Sequence, residues 1–163
     1  MENEVIIPRD TSVYKPNKEV REQILNFQSL LQNVDDKKYI VVDDKQSTKV
    51  CPLKHTFSDG IYVREIFIPA GMFIVGKIHK HDHPNFLLSG EVTVVTEDGI
   101  EDLKGPLSIM SKAGTKRALY AITDLVWITV HANPTNTEDL KELEEEIIAP
   151  TYLDYEKFKQ LKQ

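Results

Sequence analysis

The sequence is poor in the features that mark secreted, membrane-spanning and nucleic-acid-binding proteins. It has one cysteine, Cys51, among 163 residues, so no disulfide can form within the chain. It has no apolar run long enough to span a bilayer and no segment that resembles a signal peptide. Its 26 acidic residues outnumber 20 basic ones, which disfavours nucleic acid and anionic membranes as general partners. We therefore expect one cytoplasmic domain.

Common catalytic motifs are also missing. The sequence has no phosphate-binding loop, dinucleotide fingerprint, G-x-S-x-G elbow or paired zinc-binding cysteines. Cys51 precedes Pro52 without a recognisable histidine partner sequence, so we do not expect a nucleophilic cysteine. None of these catalytic chemistries is therefore expected for this chain.

Histidines are concentrated in the segment from Gly71 to Gly90. His79, His81 and His83 alternate there, just ahead of an apolar run. Alternate residues of a strand share a face, and imidazole is the commonest metal ligand in proteins. Two or three of these rings could therefore converge on one ion.

The remaining pattern predicts a helix, then strands, then helices. Apolar residues at helical spacing, after Pro16, predict an amphipathic helix over Asn17–Asn33. From Tyr39 onward, short runs rich in Val, Ile, Thr, Phe and Tyr are broken by turn residues, which is typical of strands in a sandwich or barrel. The turn Glu97–Gly99 predicts a hairpin.

The C-terminal part is predicted to be helical. Residues Asn133–Thr137 offer cap residues for an acidic helix over Glu138–Ile148. A last short helix is expected after Pro150, with three apolar residues available to dock: Leu153, Phe158 and Leu161. The predicted fold is all-β with helical additions. Its expected parts are a helical extension over residues 1–45, a sandwich or barrel over 46–133 and a helical extension over 134–163.

The segment from Ile61 to His131 resembles the cupin superfamily. The first motif of that superfamily is a glycine, five residues, His-x-His, three or four residues, a glutamate, six residues and a glycine. Counted from Gly71, this chain matches at His79 and Gly90. Two ligand positions differ, and they are occupied by Lys77 in place of the first histidine and His83 in place of the glutamate.

The second cupin motif is matched in outline, with one extra residue. Gly105 and the stretch Lys112–Gly114 follow its glycine and Pro-x-Gly, whereas Arg117 replaces the expected histidine and Ala121 the asparagine. The resemblance implies a single jelly-roll barrel of two antiparallel sheets with a ligand site inside. It is strongest to small cupins often encoded by bacteriophages, which would place the protein in the host cytoplasm.

A reduced metal site is implied in place of the usual three histidines and one carboxylate. His79 and His83 would point inward and be joined by His131, or by His81 or Asp82 from the same loop. Such a site would suit zinc, nickel, iron or copper. The alternatives are solvated loop histidines and, for His131, a capping or rim role.

Two cations at aligned metal positions favour an anionic ligand. Lys77 and Arg117 would face the cavity, where a buried charge needs a partner. Three residues complete the candidate lining, and they are Tyr120, Trp127 and Thr129. The alternatives are surface ion pairs for the cations and core or rim positions for the aromatic rings.

The sequence leaves three classes of function open. The first is a non-catalytic or regulatory cupin that binds a small anion, such as a sugar phosphate or a nucleotide-like molecule. The second is a metal-dependent isomerase, lyase or oxygenase, for which the expected cupin glutamate is absent. The third is a structural subunit. We also predict a homodimer or larger homo-oligomer, because cupin barrels commonly pair through sheet edges.

Overall fold

The protein is a β-sandwich with flanking helices, as a computed structural model gives it for residues 6, 16–35, 38–42 and 47–161. The strands in that part of the chain are β1 (Ile40–Val42), β2 (Leu53–Ser58), β3 (Ile61–Ile68), β4 (Phe73–Val75), β5 (Ile78–His79), β6 (His83–Ser89), β7 (Glu91–Thr96), β8 (Gly99–Lys104), β9 (Leu107–Ser111), β10 (Ala118–Ala121), β11 (Leu125–Ala132) and β12 (Ile148–Ala149). The helices are α1 (Lys18–Gln32), α2 (Ser47–Val50), α3 (Leu140–Ile147) and α4 (Tyr152–Gln160).

The strands form two five-stranded sheets and a two-stranded one. The first sheet has the order β1-β4-β10-β7-β8, the second β2-β3-β11-β6-β9, and β12 pairs with β5. All neighbours are antiparallel except β1 and β4, which are parallel. Consecutive strands repeatedly change sheet, as in a jelly roll. The predicted all-β jelly-roll class is confirmed.

The core lies between the two large sheets. Apolar residues that alternate along the strands meet there because alternate side chains share a face. The central members are buried in both sheets, and they include Ile68, Leu87, Val92, Ala121 and Leu125.

The predicted amphipathic helix is present as α1. Asn17 caps it by accepting a hydrogen bond from the Val20 N–H through its side chain. Ile24 and Leu31 are buried and belong to an apolar cluster with residues of the first sheet. The chain's own sheet thus covers Ile24 and Leu31, whereas Leu30 of the same helix is 68% exposed, and the homo-oligomer stays a prediction.

A buried ion pair holds α1 to the β7–β8 hairpin. The predicted turn is confirmed, with Thr96 paired to Gly99. Glu97 in that turn is 7% exposed, and its Oε1 lies 2.7 Å from Arg21 Nε. The Arg21 guanidinium also lies 4.0 Å from the centre of the Tyr152 ring. Arg21 therefore connects helix α1 with both the hairpin and helix α4.

The two C-terminal helices form, with different caps and contacts from those expected. Helix α3 is capped by Asp139, not by a residue of 133–137, because the Asp139 carboxylate accepts from the first free N–H groups. Helix α4 docks through buried Tyr155 and through Phe158, which packs against the same apolar cluster as predicted. The predicted docking of Leu153 and Leu161 was wrong, because both side chains are exposed.

The predicted division into 1–45, 46–133 and 134–163 stays a prediction. Residues 1–5, 7–15, 36–37, 43–46 and 162–163 of those parts lie outside the described residues. Across the rest of the chain, no helix is both long enough and apolar enough to cross a membrane.

Candidate functional site

A cavity of about 350 Å³ lies between the two large sheets. Its wall on the second sheet is built from rows of paired residues that face inward. At one end Tyr62 pairs with His131, and His83 with Ser111. This end also carries α3, since Tyr62 packs with Leu143 and Ile147 of that helix.

The polarity of the wall changes along the strands. The next row is still polar, with Arg64 paired to Thr129 and Thr129 to Asn85. One row further, Ile66 pairs with Trp127, and the wall becomes apolar. The wall of the second sheet thus defines a polar end, where α3 also contributes Leu143 and Ile147 to the lining, and an apolar end.

Three histidines converge at the polar end. His79 ends β5, His83 begins β6 and His131 lies near the end of β11. Their ring centres are 4.3 Å apart for His79 and His83, 4.6 Å for His83 and His131, and 5.2 Å for His79 and His131. One ring nitrogen of each lies within 4.8 Å of the others, which is close enough to bind a metal ion.

Burial keeps these imidazoles neutral. It lowers the pKa of His83 to about 4 and that of His131 to about 3, chiefly because a charged ring loses its hydration. The pKa of His79 is lowered well below its usual value by burial and by the neighbouring His83 and His131. Neutral imidazole is the form that binds metals.

The orientation of His83 leaves a nitrogen available for an ion. Its Nδ1 lies 3.1 Å from the backbone oxygen of His81, so the proton is on Nδ1 and is donated to that carbonyl. Its Nε2 is buried without a hydrogen-bond partner. A buried lone pair of this kind is costly unless it is used. The donor set and this unpaired nitrogen both fit a divalent ion.

The two loop alternatives lie outside the cluster. His81 is exposed, and its ring packs edge-on against Phe158 at 5.3 Å between centres. Asp82 is exposed and accepts a hydrogen bond from the Ala113 N–H. The structure thus brings together His79, His83 and His131 among the predicted ligands.

The two predicted cations have different surroundings. Lys77 lines the cavity, but its Nζ lies 2.6 Å from Glu144 Oε1 of α3, so its charge is paired. Arg117 also lines the cavity and donates from Nη2 to Ser111 Oγ. Burial lowers the pKa of Arg117 to about 10, which leaves it charged at neutral pH.

Of the three other predicted lining residues, two line the cavity and one does not. Trp127 and Thr129 line the cavity. Tyr120 does not: it is 38% exposed, and its ring lies 4.6 Å from that of Phe73. It follows Leu119, which does line the cavity, and neighbours on a strand point to opposite faces.

A buried hydrogen-bond network, which the sequence analysis missed, supports Arg117. Asn85 is fully buried, donates to Ser111 Oγ at 2.6 Å, and accepts from Trp127 Nε1 at 3.0 Å. Ser111 in turn accepts from Arg117. Because alternate residues of a strand share a face, the predicted inward position of His83 would also have placed Asn85 on the inner face of β6. The position of Ser111 follows only from the pairing of β9 with β6.

Three further lining residues were not anticipated as site residues. These are Arg64, in the polar part of the cavity, and the pair His55 and Tyr62, whose Nδ1 and hydroxyl oxygen lie 2.7 Å apart.

Cys51 is buried, and desolvation raises the pKa of its thiol to about 11. That thiol is therefore unsuited to nucleophilic chemistry.

Comparison with known proteins gives similarity in fold. No protein-family model and no curated protein matches the sequence. Three similar solved structures are a conserved protein of unknown function from Streptococcus pyogenes (17% identity, TM-score 0.44, 63% of this chain and 88% of that one), a cupin superfamily protein from Desulfitobacterium hafniense (14%, 0.42, 56% and 82%) and KdgF from Halomonas sp. (14%, 0.47, 60% and 86%).

Proposed function

We propose that the protein binds a divalent metal ion through His79, His83 and His131 and holds a small anion beside it, without catalysis. The observation that carries this proposal is the meeting of three neutral, buried imidazoles at the polar end of a cavity. Imidazole nitrogens suit zinc, nickel, iron and copper. The Nδ1 contact of His83 to a backbone carbonyl is the type of outer contact that orients metal-binding histidines.

The charges of the lining support an anionic ligand. Three neutral histidines leave the charge of a divalent ion uncompensated, and Arg117 adds another positive charge. Among the described lining residues the one carboxylate is Glu144, which is paired with Lys77. A ligand that brings negative charge would offset the burial of these cations. The sequence analysis named sugar phosphates and nucleotide-like molecules as such anions.

The anion-binding part is tested by the variant Arg117→Gln. Loss of one partner of a buried charge pair costs about 2 to 5 kcal/mol, so anion affinity should fall by that amount while metal content is nearly unchanged. Lys104→Gln is the matched control, because Lys104 is exposed and pairs with Glu91 outside the lining. Calorimetric titration of the zinc-loaded variants with acetate and phosphate measures the anion affinity, and elemental analysis measures the metal content. Equal anion affinity in wild type and Arg117→Gln would contradict the proposal.

One observation favours a metal-dependent enzyme as the second candidate. The hydroxyl of Tyr62 and Nδ1 of His55 are 2.7 Å apart, and both residues line the cavity. Such a pair can hold and move a proton. Tyr62→Phe distinguishes the candidates: a binding protein keeps its ligand chemically intact with either residue, whereas an enzyme converts a bound ligand in wild type and loses that conversion in the variant. Mass spectrometry of the bound ligand records the result.

A further inference from the structure

We propose that the ligand is an aliphatic monocarboxylate, with its carboxylate beside the histidine cluster and its hydrocarbon tail in the apolar end of the cavity. This inference rests on the proposed function, since it assumes anion binding at that cluster. It adds the chemical class of the ligand and its direction in the barrel.

The first support is the composition of the apolar end. Beyond the row of Arg64 and Thr129, the second sheet presents Leu53, Ile66 and Ile68 to the cavity. Among the described residues that line this end, Trp127 is the one with a side-chain polar atom, and its N–H is already donated to Asn85. A sugar ring or a nucleobase placed here would bury hydroxyl or amino groups without partners.

The second support is the opposite wall. Leu119 pairs with Ile74, and Ile74 with Val41, and all three residues line the cavity. The first sheet therefore meets the ligand with hydrocarbon where the second sheet has also become apolar. Alternate residues along a strand are roughly 6.6 Å apart, so this apolar part extends over more than one row and can enclose several methylene groups.

The third support is the supply of polar groups at the other end. Arg117 offers a planar set of N–H donors, and one of these is already directed to Ser111 Oγ. A carboxylate needs few donors and can be held by an arginine together with a metal ion. Arg64 also lies at this end, so the polar end can hold one anionic group, whereas Leu53, Ile66 and Ile68 at the apolar end offer no donor or cation to a second one.

The test is a ligand series on the full, zinc-loaded chain. Trp127 is the single tryptophan of the protein and lines the cavity, so its fluorescence reports occupancy directly. The probes are acetate, butanoate, hexanoate and octanoate, with 1-octanol, suberate and glucose 6-phosphate as comparisons. We expect each added pair of methylenes up to hexanoate to tighten binding by about 15-fold, because burying one methylene is worth about 0.8 kcal/mol.

Two comparisons define the expected orientation. Suberate should bind at least tenfold more weakly than octanoate, because its second carboxylate would lie against apolar side chains, and 1-octanol should also bind more weakly for lack of charge. Leu119→Asn should flatten the chain-length dependence, whereas Leu88→Asn, at an exposed position outside the lining, should not. The wild-type series stands on its own if Leu119→Asn does not fold.

The outcomes separate this inference from the proposed function. Binding of acetate and phosphate with no gain from chain length, or glucose 6-phosphate binding more tightly than octanoate, overturns the monocarboxylate and leaves anion binding intact. Absence of binding by every anion to zinc-loaded protein overturns both proposals. Tighter binding along the series, with suberate and 1-octanol weaker, supports the inference.

Discussion

Ile148 pairs with His79 across the two-stranded β12–β5 sheet, so the C-terminal segment holds one of the three clustered histidines in place. The neighbouring contacts have the same effect. The Lys80 N–H donates to the Ile147 carbonyl at 2.7 Å, and the Gly114 N–H donates to the His79 carbonyl at 2.8 Å. The geometry of the cluster therefore depends on how α3, β12 and α4 pack on the barrel.

Gly114→Ala tests this dependence. A Cβ at Gly114 would lie 2.4 Å from the Tyr155 ring, and the residue has φ +86°, so the substitution should displace α4 and loosen β5. Gly60→Ala is the control, with φ +71° and no atom near the added methyl group. In both variants an alanine at positive φ lowers the free energy of unfolding by about 1 to 2 kcal/mol. The Gly114 variant should lose about 1 to 3 kcal/mol more by overpacking.

Chemical denaturation of the two glycine variants gives the comparison, and zinc titration gives the effect on the cluster. Gly114→Ala should weaken zinc binding, and Gly60→Ala should leave it unchanged. Equal losses of stability and equal zinc affinities would show that the C-terminal segment does not hold His79.

The buried imidazoles predict that the metal-free protein loses stability as the pH falls below about 6.5. The folded-state pKa values of His83 and His131, about 4 and about 3, lie below the unfolded value of 6.5. The unfolded chain therefore takes up protons first, and stability falls as the pH drops from 6.5 towards those values. Each ring should contribute roughly 1.5 kcal/mol between pH 6.5 and 5, at 1.36 kcal/mol per pKa unit.

Denaturant unfolding at several pH values, in the presence of a chelator, measures this slope. His131→Asn should reduce it by about a third, because His79 and His83 also have lowered pKa values and contribute the rest, whereas His81→Asn should not change it, since His81 is exposed. A slope between pH 6.5 and 5 that is the same in all three proteins would contradict the assigned burial.

Glu97→Gln should be strongly destabilising. It removes one partner of the buried pair with Arg21, and breaking such a pair typically costs about 3 to 5 kcal/mol. Glu91→Gln is the control, because its pair with Lys104 has a similar distance of 2.6 Å but is exposed and should be worth about 1 kcal/mol or less. Thermal unfolding distinguishes them, and similar changes in Tm would show that burial does not set the strength of the Arg21 pair.

Glu144→Gln should strengthen anion binding. It removes the carboxylate that neutralises Lys77 beside the cavity, and we expect acetate and phosphate to bind about fivefold more tightly at low salt, with the gain declining as salt is added. Glu145→Gln is the control, because the neighbouring Glu145 is exposed and does not line the cavity. Equal gains in both variants would indicate a general charge effect in place of a local one.

Local patterns were sufficient for the strand-rich class of the fold and for part of the site, whereas the jelly-roll arrangement was implied by the resemblance to cupins. Alternation and motif spacing placed His79 and His83, and the face shared by Trp127, Thr129 and His131 on β11 was predicted correctly. These positions depend on a period of two along single strands.

The rest of the site depends on contacts between distant segments. The pairing of Lys77 with Glu144 joins residues 67 positions apart, so spacing within a motif cannot reveal it. The buried network of Asn85 and Ser111 likewise requires the register of β6 with β9. Tyr120 was misplaced although alternation from Arg117, which was expected to face the cavity, places Leu119 inward and Tyr120 outward.

The most direct test of the metal centre is elemental analysis of protein purified without a histidine tag after growth with zinc, nickel, iron and copper. Wild type and His81→Asn should each carry close to one divalent ion per chain, because His81 lies outside the cluster. His83→Asn, folded by circular dichroism, should carry less than a tenth of that amount. Equal metal content in the His83 and His81 variants, or none in wild type, would contradict the proposed centre.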